Sequence, residues 1–294
     1  MKLFFETDSY FHIGHQHLNS GKPCQDYATS ATYNDAAFAI VSDGCSSGGK
    51  TDVGARILAL ATASAICEHW TTVRTVREDT VPLEISIRQR LTMAGTRKTL
   101  GLSRQDMLAT CLYQYLTPCG GFVHLQGDGV FAYKKRSGHI YMCRYEWADN
   151  KPLYLAYAED YFAGFIKDHG GDVNAARLAK QYWEYTPDGK FSQLPSEEVT
   201  LGEAIHGITI RLSADELRDV SFSAVFSDGV TQIDSLDWKE AVVELLAFKT
   251  IEGEFAKRRM IRAIKDAQKN GKGPADDIAY AVVRVILPQG NNMP

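Results

Sequence analysis

The chain has 294 residues, of which 45% are hydrophobic and 23% charged. These values are typical of a soluble globular protein, and they exclude fibrous and largely disordered classes. The 32 Lys and Arg against 36 Asp and Glu give a formal net charge of -4. That balance offers no basic surface for nucleic acid or for an anionic membrane, so neither is expected as a partner.

The first residues and the cysteines together predict a cytoplasmic protein. Glu6 and Asp8 interrupt the apolar start at the point where a secretory signal would continue its hydrophobic run. The longest apolar stretch, around residues 57–66, is too short to span a bilayer, which takes about 20 apolar residues. The 6 cysteines form no Cys-x-x-Cys pair, a pattern more typical of reduced thiols than of disulfides or a zinc site.

The first third of the chain predicts strands followed by two helices. Strands are expected at residues 27–33 and 36–44. Asp52 could cap a helix reaching about His69, and the apolar stripe of that helix would comprise Val53, Ile57, Leu60, Ala61 and Ser64. A second helix is predicted over residues 82–100 because apolar residues recur there at helical spacing. They are Leu83, Ile87, Leu91 and Ala94.

From Leu108 the hydrophobic pattern changes to a period of two. Four short β-runs follow one another up to Trp147, and the gaps between them leave no room for crossover helices, so these strands are expected to pair antiparallel. Further elements are predicted after residue 206: strands at 207–212, 221–227 and 278–286, and helices at 238–249 and 254–269. The order of the elements predicts an α+β layered fold.

Residues 149–206 have the least regular pattern in the chain. They are interpreted as a variable, flap-like insertion in a single domain that spans residues 1–294. The pattern leaves open whether residues 175–183 form a helix.

Acidic residues stand where the predicted strands end. Three apolar runs finish in an Asp-Gly pair, at Asp43, Asp128 and Asp228, while Asp26 and the pair Asp276-Asp277 each begin a strand. A single Asp-Gly pair more often marks a turn. Three of them at the ends of apolar runs favour a cluster, whose carboxylates repel one another unless a cation neutralises them. All-oxygen ligands select hard ions such as Mg²⁺ or Mn²⁺.

Six short motifs around these carboxylates follow one another along the chain. They are CQDYA from Cys24, VSDGCSSGG from Val41, LATCL from Leu108, GDGVFAY from Gly127, FSDGV from Phe226 and GPADDIAYAVV from Gly273. In this order they resemble the metal-dependent (PPM, type 2C) Ser/Thr protein phosphatases. The resemblance spans residues 25–283 and implies a four-layer αββα sandwich of two antiparallel sheets flanked by helices. It also implies hydrolysis of phosphoserine and phosphothreonine in proteins by water activated at two metal ions.

The resemblance further implies roles for individual residues. Asp43 would bridge two Mg²⁺ or Mn²⁺ ions with help from the carbonyl of Gly44, and Asp228 and Asp276 would complete the shell of one ion. Asp26 would hold a water on the metal, and Asp128 matches the residue that helps to bind a third, weaker ion. The expected catalytic residues are Asp26, Asp43, Asp228 and Asp276. The expected partners are a phosphorylated protein substrate and a Ser/Thr kinase pathway.

The sequence departs from the family pattern at four positions. Gln25 stands where many members have Glu, and Asp277 stands where Asn is usual. Cys45 occupies a position often held by His. The arginine that contacts phosphate in many members has no match, and Lys22 falls nearby. Lys22, Gln25 and His17 are therefore the predicted substrate-binding residues.

Two other functions are compatible with parts of this sequence. Residues 44–51 read GCSSGGKT, which fits the nucleotide-binding pattern G-x-x-x-x-G-K-[ST] between a strand and a helix. A P-loop domain needs a parallel sheet, however, whereas the pattern predicts hairpins. The second alternative is a catalytically weak pseudophosphatase that serves as a binding module. The presence of five of the expected aspartates favours an active enzyme.

Overall fold

The computed structural model describes residues 2–73, 80–148, 152–160, 162–168, 170–174, 177–269, 271 and 273–288. The strands in these residues are β1 Phe4–His12, β2 Asp26–Tyr33, β3 Ala36–Asp43, β4 Cys111–Thr117, β5 Gly120–Gln126, β6 Gly129–Lys135, β7 Ile140–Trp147, β8 Arg177–Tyr185, β9 Phe191–Gln193, β10 Glu197–Thr200, β11 Ile208–Ser213, β12 Val220–Phe226 and β13 Ile278–Ile286. The helices are α1 His15–Ser20, α2 Thr51–Thr72, α3 Val81–Leu100, α4 Tyr157–Asp160, α5 Phe162–Asp168, α6 Leu201–Ala204, α7 Ala214–Asp219, α8 Trp238–Leu245 and α9 Phe255–Lys269.

Two sheets form the centre of the fold. One is eight-stranded in the order β1-β13-β12-β6-β7-β8-β10, with β9 paired to β8, and the other is five-stranded in the order β11-β5-β4-β3-β2. Neighbouring strands pair antiparallel in both sheets. The predicted α+β class and the antiparallel sheets are therefore confirmed.

Three hydrophobic layers hold the sandwich together. The inner layer lies between the sheets and includes Val41 of β3 and Val283 of β13. A second layer packs α2 and α3 on the outer face of the five-stranded sheet and includes Ile40 of β3 and Leu58 of α2. The third packs α8 and α9 on the eight-stranded sheet. Because side chains alternate along a strand, β3 contributes to two layers at once, which explains its unbroken apolar run.

The predicted face of α3 is wrong, and that of α2 is right only in part. On α2, Ala61 is buried and Ile57 packs against the core, as predicted, whereas Leu60 is exposed. Other residues buried on α2 are Ala55, Leu58 and Ala59. On α3, the three leading residues of the predicted stripe are exposed, namely Leu83, Ile87 and Leu91. The buried face of α3 consists of Val81, Pro82, Ile85, Ser86, Gln89 and Met93. Both helices carry apolar residues on more than one side, so periodicity alone does not identify the buried face.

Other boundaries also differ from the sequence predictions. Asp52 does not cap α2, because Lys50 occupies the N-cap position and Asp52 lies in the first turn. Residues 177–183, whose helical character the pattern leaves open, belong to strand β8; residues 175 and 176 lie outside the described ranges. Strand β1 and helix α1 have no counterpart among the predicted elements. No helix in the described ranges is long and apolar enough to cross a bilayer.

Candidate active site

Asp26 and Asp43 come from neighbouring strands of the five-stranded sheet. They lie directly opposite each other in the antiparallel register of β2 and β3, so their side chains share one face. The backbone around Asp43 is fixed from β4: Thr110 N donates to the Asp43 carbonyl at 2.8 Å, and Ser42 Oγ donates to the Thr110 carbonyl at 2.7 Å. Gly44 follows at once, and its N–H donates to the Gln25 carbonyl.

Asp228 comes from the other sheet, immediately after β12. The residue before it, Ser227, donates from Oγ to Asp26 Oδ2 at 2.6 Å and accepts from Ala279 N at 2.8 Å. Ser227 is fully buried. This hydroxyl therefore joins β2 of one sheet to β12 and β13 of the other at the level of the acidic residues.

Asp276 reaches the same place from the loop that precedes β13. Gln232 Nε2 donates to Asp228 Oδ2 at 3.0 Å and lies 3.4 Å from Asp276 Oδ2. One amide thus orients two carboxylates that are far apart in sequence. The carboxyl groups of Asp26 and Asp228 also lie within hydrogen-bonding reach of Asp43. The structure therefore brings together Asp26, Asp43, Asp228 and Asp276.

Asp277 lies beside this group, and its oxygens already have partners. Its Oδ1 accepts from Gly14 N at 2.8 Å, and its Oδ2 accepts from Gln25 N at 2.6 Å. His17 Nδ1 lies 2.8 Å from the same Oδ2. His17, Asp276 and Asp277 each offer a ligand atom within 4.8 Å of the others. Since backbone donors saturate Asp277, we assign it to anchoring the N-terminal segment, while Asp276 faces the acidic group.

Asp128 lies at the start of β6 and belongs to the same electrostatic neighbourhood. Burial and the charge of Asp228 raise the pKa of the Asp128 carboxyl to about 7, and Arg144 lowers it. Arg144 also lowers the pKa of Asp228, against a larger rise caused by burial. The register explains the proximity, since Arg144 of β7 pairs with Val130 of β6, and Val130 pairs with Phe226 of β12. Arg144 has no signal of its own in the sequence, because only cross-strand register places it here.

Burial and mutual repulsion dominate the electrostatics of the acidic group. Burial raises the pKa of Asp26 and of Asp43 well above the usual range of a carboxyl group, and the charges of Asp26 and Asp228 raise that of Asp43 further. Repulsion and desolvation make the ionised form of such a cluster unfavourable in free energy unless a cation neutralises its charge. Carboxylate oxygens are the ligands that Mg²⁺ and Mn²⁺ prefer, so the residues present fit a divalent metal centre.

The three predicted substrate-binding residues have different surroundings. Lys22 is exposed, and its Nζ donates to the Ser46 carbonyl at 3.4 Å. Gln25 is buried and donates from Nε2 to Thr51 Oγ1 at 2.7 Å. His17 is buried against Asp277. Lys22 is therefore the one of the three whose side chain is open to solvent.

In residues 44–51, which resemble a P-loop, the place where a P-loop would bind phosphate is taken by a protein side chain. The helix that follows, α2, begins beside a carboxylate, since Lys50 N donates to Asp106 Oδ1 at 2.6 Å. Asp106 Oδ2 accepts from Ser103 N and Oγ at 2.7 and 2.6 Å. A protein carboxylate thus already occupies the N-terminus of α2, and the adjacent sheet is antiparallel. The P-loop alternative is not favoured.

Comparison with protein families gives one match. The family model described as protein phosphatase 2C matches residues 13–150. These residues include β2 and β3 with Asp26 and Asp43, and also Asp128. A comparison with curated proteins gives no significant match.

Solved structures of similar fold cover nearly the whole chain. A bacterial serine phosphatase aligns with TM-score 0.54 at 9% identity, covering 97% of this chain and 99% of its own. Serine/threonine phosphatase Stp1 from Staphylococcus aureus aligns with TM-score 0.52 at 11% identity, covering 97% of both chains. The catalytic domain of the serine/threonine protein phosphatase PstP, solved with two manganese ions, aligns with TM-score 0.50 at 13% identity and covers 97% of this chain and 100% of its own. At these identities the likeness shows a shared fold.

Proposed function

We propose that the chain is a metal-dependent protein serine/threonine phosphatase of the protein phosphatase 2C family, whose model matches residues 13–150. Its catalytic centre would consist of Asp26, Asp43, Asp228 and Asp276. In this proposal Asp43, the Gly44 carbonyl, Asp228 and Asp276 hold two divalent cations, and Asp26 orients water. Asp128 would serve a third, weaker ion. The substrates are phosphoserine and phosphothreonine in proteins.

One observation carries this proposal. Four aspartates from the strand ends of two sheets converge on one place, where Asp26 is buried and the other three are partly buried. Burial and mutual charge raise the pKa of Asp26, Asp43 and Asp228. Turn residues would lie at the surface, where carboxylates are readily hydrated. A buried group of acids without cationic partners of equal number is instead typical of a metal centre.

The protein's own residues orient the reacting groups. When bound, the divalent cations lower the pKa of water and neutralise charge on the phosphoryl oxygens. Ser227 holds the carboxyl group of Asp26 in one orientation, and Gln232 does the same for Asp228 and Asp276. Such supporting hydrogen bonds fix the positions of metal ligands. Arg144, which also pairs with Glu146 at 2.8 Å, adds positive charge near Asp128.

The identity of the ions follows from the chemistry of their ligands. We assign Mn²⁺ or Mg²⁺ because the ligands are all oxygen. The six free cysteines support a reducing cytoplasm as the location.

A protein phosphatase removes the phosphoryl group that a kinase adds to Ser or Thr. A Ser/Thr kinase would therefore produce the substrate of this protein, which would act in signalling. Residues 149–206 are assigned to a flap-like insertion in a single domain of residues 1–294.

The test is hydrolysis of para-nitrophenyl phosphate and of a phosphoserine peptide by the purified chain. We expect turnover with Mn²⁺ or Mg²⁺ and none with EDTA. Asp43→Ala, Asp228→Ala and Asp276→Ala should each lower kcat at least 100-fold, because each removes a ligand from the centre.

Asp234→Ala provides the matched control. Asp234 follows the same FSDGV motif, but its side chain is half exposed and pairs with His15 at the surface. Its loss should leave kcat within about twofold, as expected for an exposed ion pair. Undiminished turnover in EDTA, or full activity in two of the three ligand variants with intact circular dichroism, would overturn the proposed function.

A further inference from the structure

A cavity of about 210 Å³ is lined by residues from three parts of the chain. Helix α3 contributes Ser86 and Arg90, one turn apart on the same face. Strand β5 contributes Gln126, two residues before Asp128. The remainder comes from the segment 149–206, including Tyr154 and His206.

Three polar side chains of this cavity, those of Ser86, Arg90 and Gln126, have no partner among the described residues. Ser86 and Gln126 are buried residues, at 6% and 7% exposure, and neither side chain makes a hydrogen bond to the described residues. Arg90 is half-buried, and in the same ranges it has no hydrogen bond or ion pair. Because all three line the cavity, their polar groups are available to a ligand or to water inside it.

The residues that line the cavity favour a ligand with a negatively charged group and a short apolar chain. Arg90 carries a full positive charge, and no Asp or Glu lies among the residues that line the cavity. Ser86, Gln126 and His206 add N–H or O–H donors, while Leu153, Phe162 and other apolar side chains form the remaining wall. The volume is below the roughly 300 Å³ at which pockets for drug-sized ligands begin. It suits a single side chain.

Tyr154 connects this cavity to the acidic centre. Tyr154 lines the cavity, and it lies near Cys45, the residue after Gly44; burial and the charge of Cys45 raise the pKa of the Tyr154 hydroxyl. Asp43 and Asp128 lie close enough for their charges to act on the same hydroxyl. A phosphorylated residue held at the acidic centre would therefore place neighbouring residues of its peptide near the cavity.

We propose that this cavity binds an acidic side chain, Asp or Glu, that flanks the phosphorylated residue of the protein substrate. The inference rests on the proposed function and deepens it by naming a substrate preference. Arg90 and the amide of Gln126 pair with the carboxylate, and the apolar wall contacts the methylene groups. Charge-assisted hydrogen bonds of this kind are stronger than neutral ones, and Arg can pair with a carboxylate through two parallel bonds.

The test uses pairs of phosphoserine peptides that differ only in Glu or Gln at one flanking position, with the position varied through the peptide. For the wild-type protein, kcat/KM should favour Glu by about five- to tenfold at the position that reaches the cavity. Arg90→Gln should remove this preference, and Arg90→Glu should reverse it in favour of a Lys-bearing peptide. Hydrolysis of para-nitrophenyl phosphate should stay within about twofold in every variant, since this compound has no flanking residue.

Lys98→Gln is the matched control, because Lys98 is exposed near the end of α3 and does not line the cavity. It should keep the wild-type preference. The inference is overturned if no position discriminates Glu from Gln, or if the preference survives in Arg90→Gln. A thermal shift by glutarate that requires Arg90, without any peptide preference, would assign the cavity to a free carboxylate and likewise overturn it. Failure to hydrolyse any phosphopeptide or para-nitrophenyl phosphate would instead overturn the proposed function, and this inference with it.

Discussion

At the scale of single residues, Asp276 and Asp277 are adjacent in one motif but have different roles. Asp277 accepts from the backbone of Gly14 and Gln25 and contacts His17, so it attaches the N-terminal segment to the start of β13. Asp276 Oδ1 accepts from the adjacent Asp277 N, and its Oδ2 faces Gln232 and the acidic group. The difference lies in the direction of each side chain.

We predict opposite results for Asp277→Ala and Asp276→Ala. Asp277→Ala leaves buried donors without an acceptor, so the free energy of unfolding should fall by about 2–4 kcal/mol. Asp276→Ala removes a repelling charge, so the stability of the metal-free protein should be unchanged or raised, while the affinity for Mn²⁺ falls. Urea unfolding in EDTA and a thermal-shift titration with Mn²⁺ measure the two effects. A loss of stability in Asp276→Ala alone would contradict the division of roles.

His124 of β5 is a buried titratable residue that takes no part in the proposed mechanism. Burial, and to a lesser degree the charge of His206, lowers its pKa to about 4 from the usual 6.5. The folded protein therefore binds fewer protons than the unfolded chain between these values. The contribution of His124 to stability is fully present above pH 6.5 and is lost as the pH falls through about 4.

The pH dependence of unfolding tests this shift. Between pH 7.5 and pH 4, the wild type should lose about 3 kcal/mol more than His124→Gln, from the roughly 1.4 kcal/mol that each pKa unit represents. The acidic group titrates in both proteins, so the difference between the two curves isolates His124. Parallel curves would show that the imidazole is protonated in the folded state.

At the scale of elements, the contact of α2 with the turn at Gln105–Met107 depends on a glycine. A Cβ on Gly54 would overlap the carbonyl oxygen of Asp106 and lie about 2.9 Å from Met107 Cα. The close approach keeps Asp106 at the N-terminus of α2, where its carboxylate accepts from Lys50 N. The absence of a side chain at Gly54 thus sets the position of the helix that follows Gly44.

We predict that Gly54→Ala and Gly95→Ala have opposite effects on stability. Gly54→Ala must displace backbone and should lower the free energy of unfolding by at least 2 kcal/mol, the size of an overpacking defect. Gly95 lies in α3, where an added Cβ would meet nothing within 4 Å among the described residues. Gly95→Ala should therefore raise stability by about 0.4–1 kcal/mol through reduced freedom of the unfolded chain. Equal effects in thermal unfolding would contradict the contact between α2 and the turn.

The helices also show where local sequence is insufficient. Their existence follows from apolar spacing and length, and the predicted range of α3 differs by one residue from Val81–Leu100. Its orientation does not follow, since Leu83, Ile87 and Leu91 face outward. Inside, Gln89 donates to Thr62 Oγ1 at 2.6 Å, so a satisfied polar residue occupies a core position. Which face is buried depends on the sheet beneath the helix.

At the scale of the whole molecule, the residues of the site that could be predicted are those with a local signature. Asp43, Asp128 and Asp228 each end an apolar run before a glycine, and the structure places all three near one another. Arg144 carries no such signature, because its position depends on the register of β6, β7 and β12. Strand β1 escapes prediction because it is an edge strand, with half-buried residues and acidic side chains in its pattern.

The acidic centre lies where the two sheets meet, so its geometry depends on how the sheets are joined. Ser227 makes that connection through one hydroxyl, which donates to Asp26 and accepts from Ala279 N. We predict that Ser227→Ala lowers the free energy of unfolding by about 1–3 kcal/mol, because it leaves a buried acceptor and a buried donor unpaired. It should also weaken Mn²⁺ binding by about 10- to 100-fold, as expected when the support of a metal site is lost. Chemical unfolding in EDTA and Mn²⁺ titration measure the two quantities.

Ser223 of β12, the strand that precedes Ser227, is the control for this change. It is also fully buried, but among the described residues its hydroxyl has no partner, and its carbonyl, which accepts from Gln114, is retained in Ser223→Ala. Removing an unpaired buried hydroxyl should leave stability unchanged or raise it, and Mn²⁺ affinity should stay at the wild-type value. If both variants lose the same stability and keep the same Mn²⁺ affinity, the hydroxyl of Ser227 contributes only packing. If Ser227→Ala alone weakens both, the joining of the two sheets and the binding of metal depend on the same hydrogen bond.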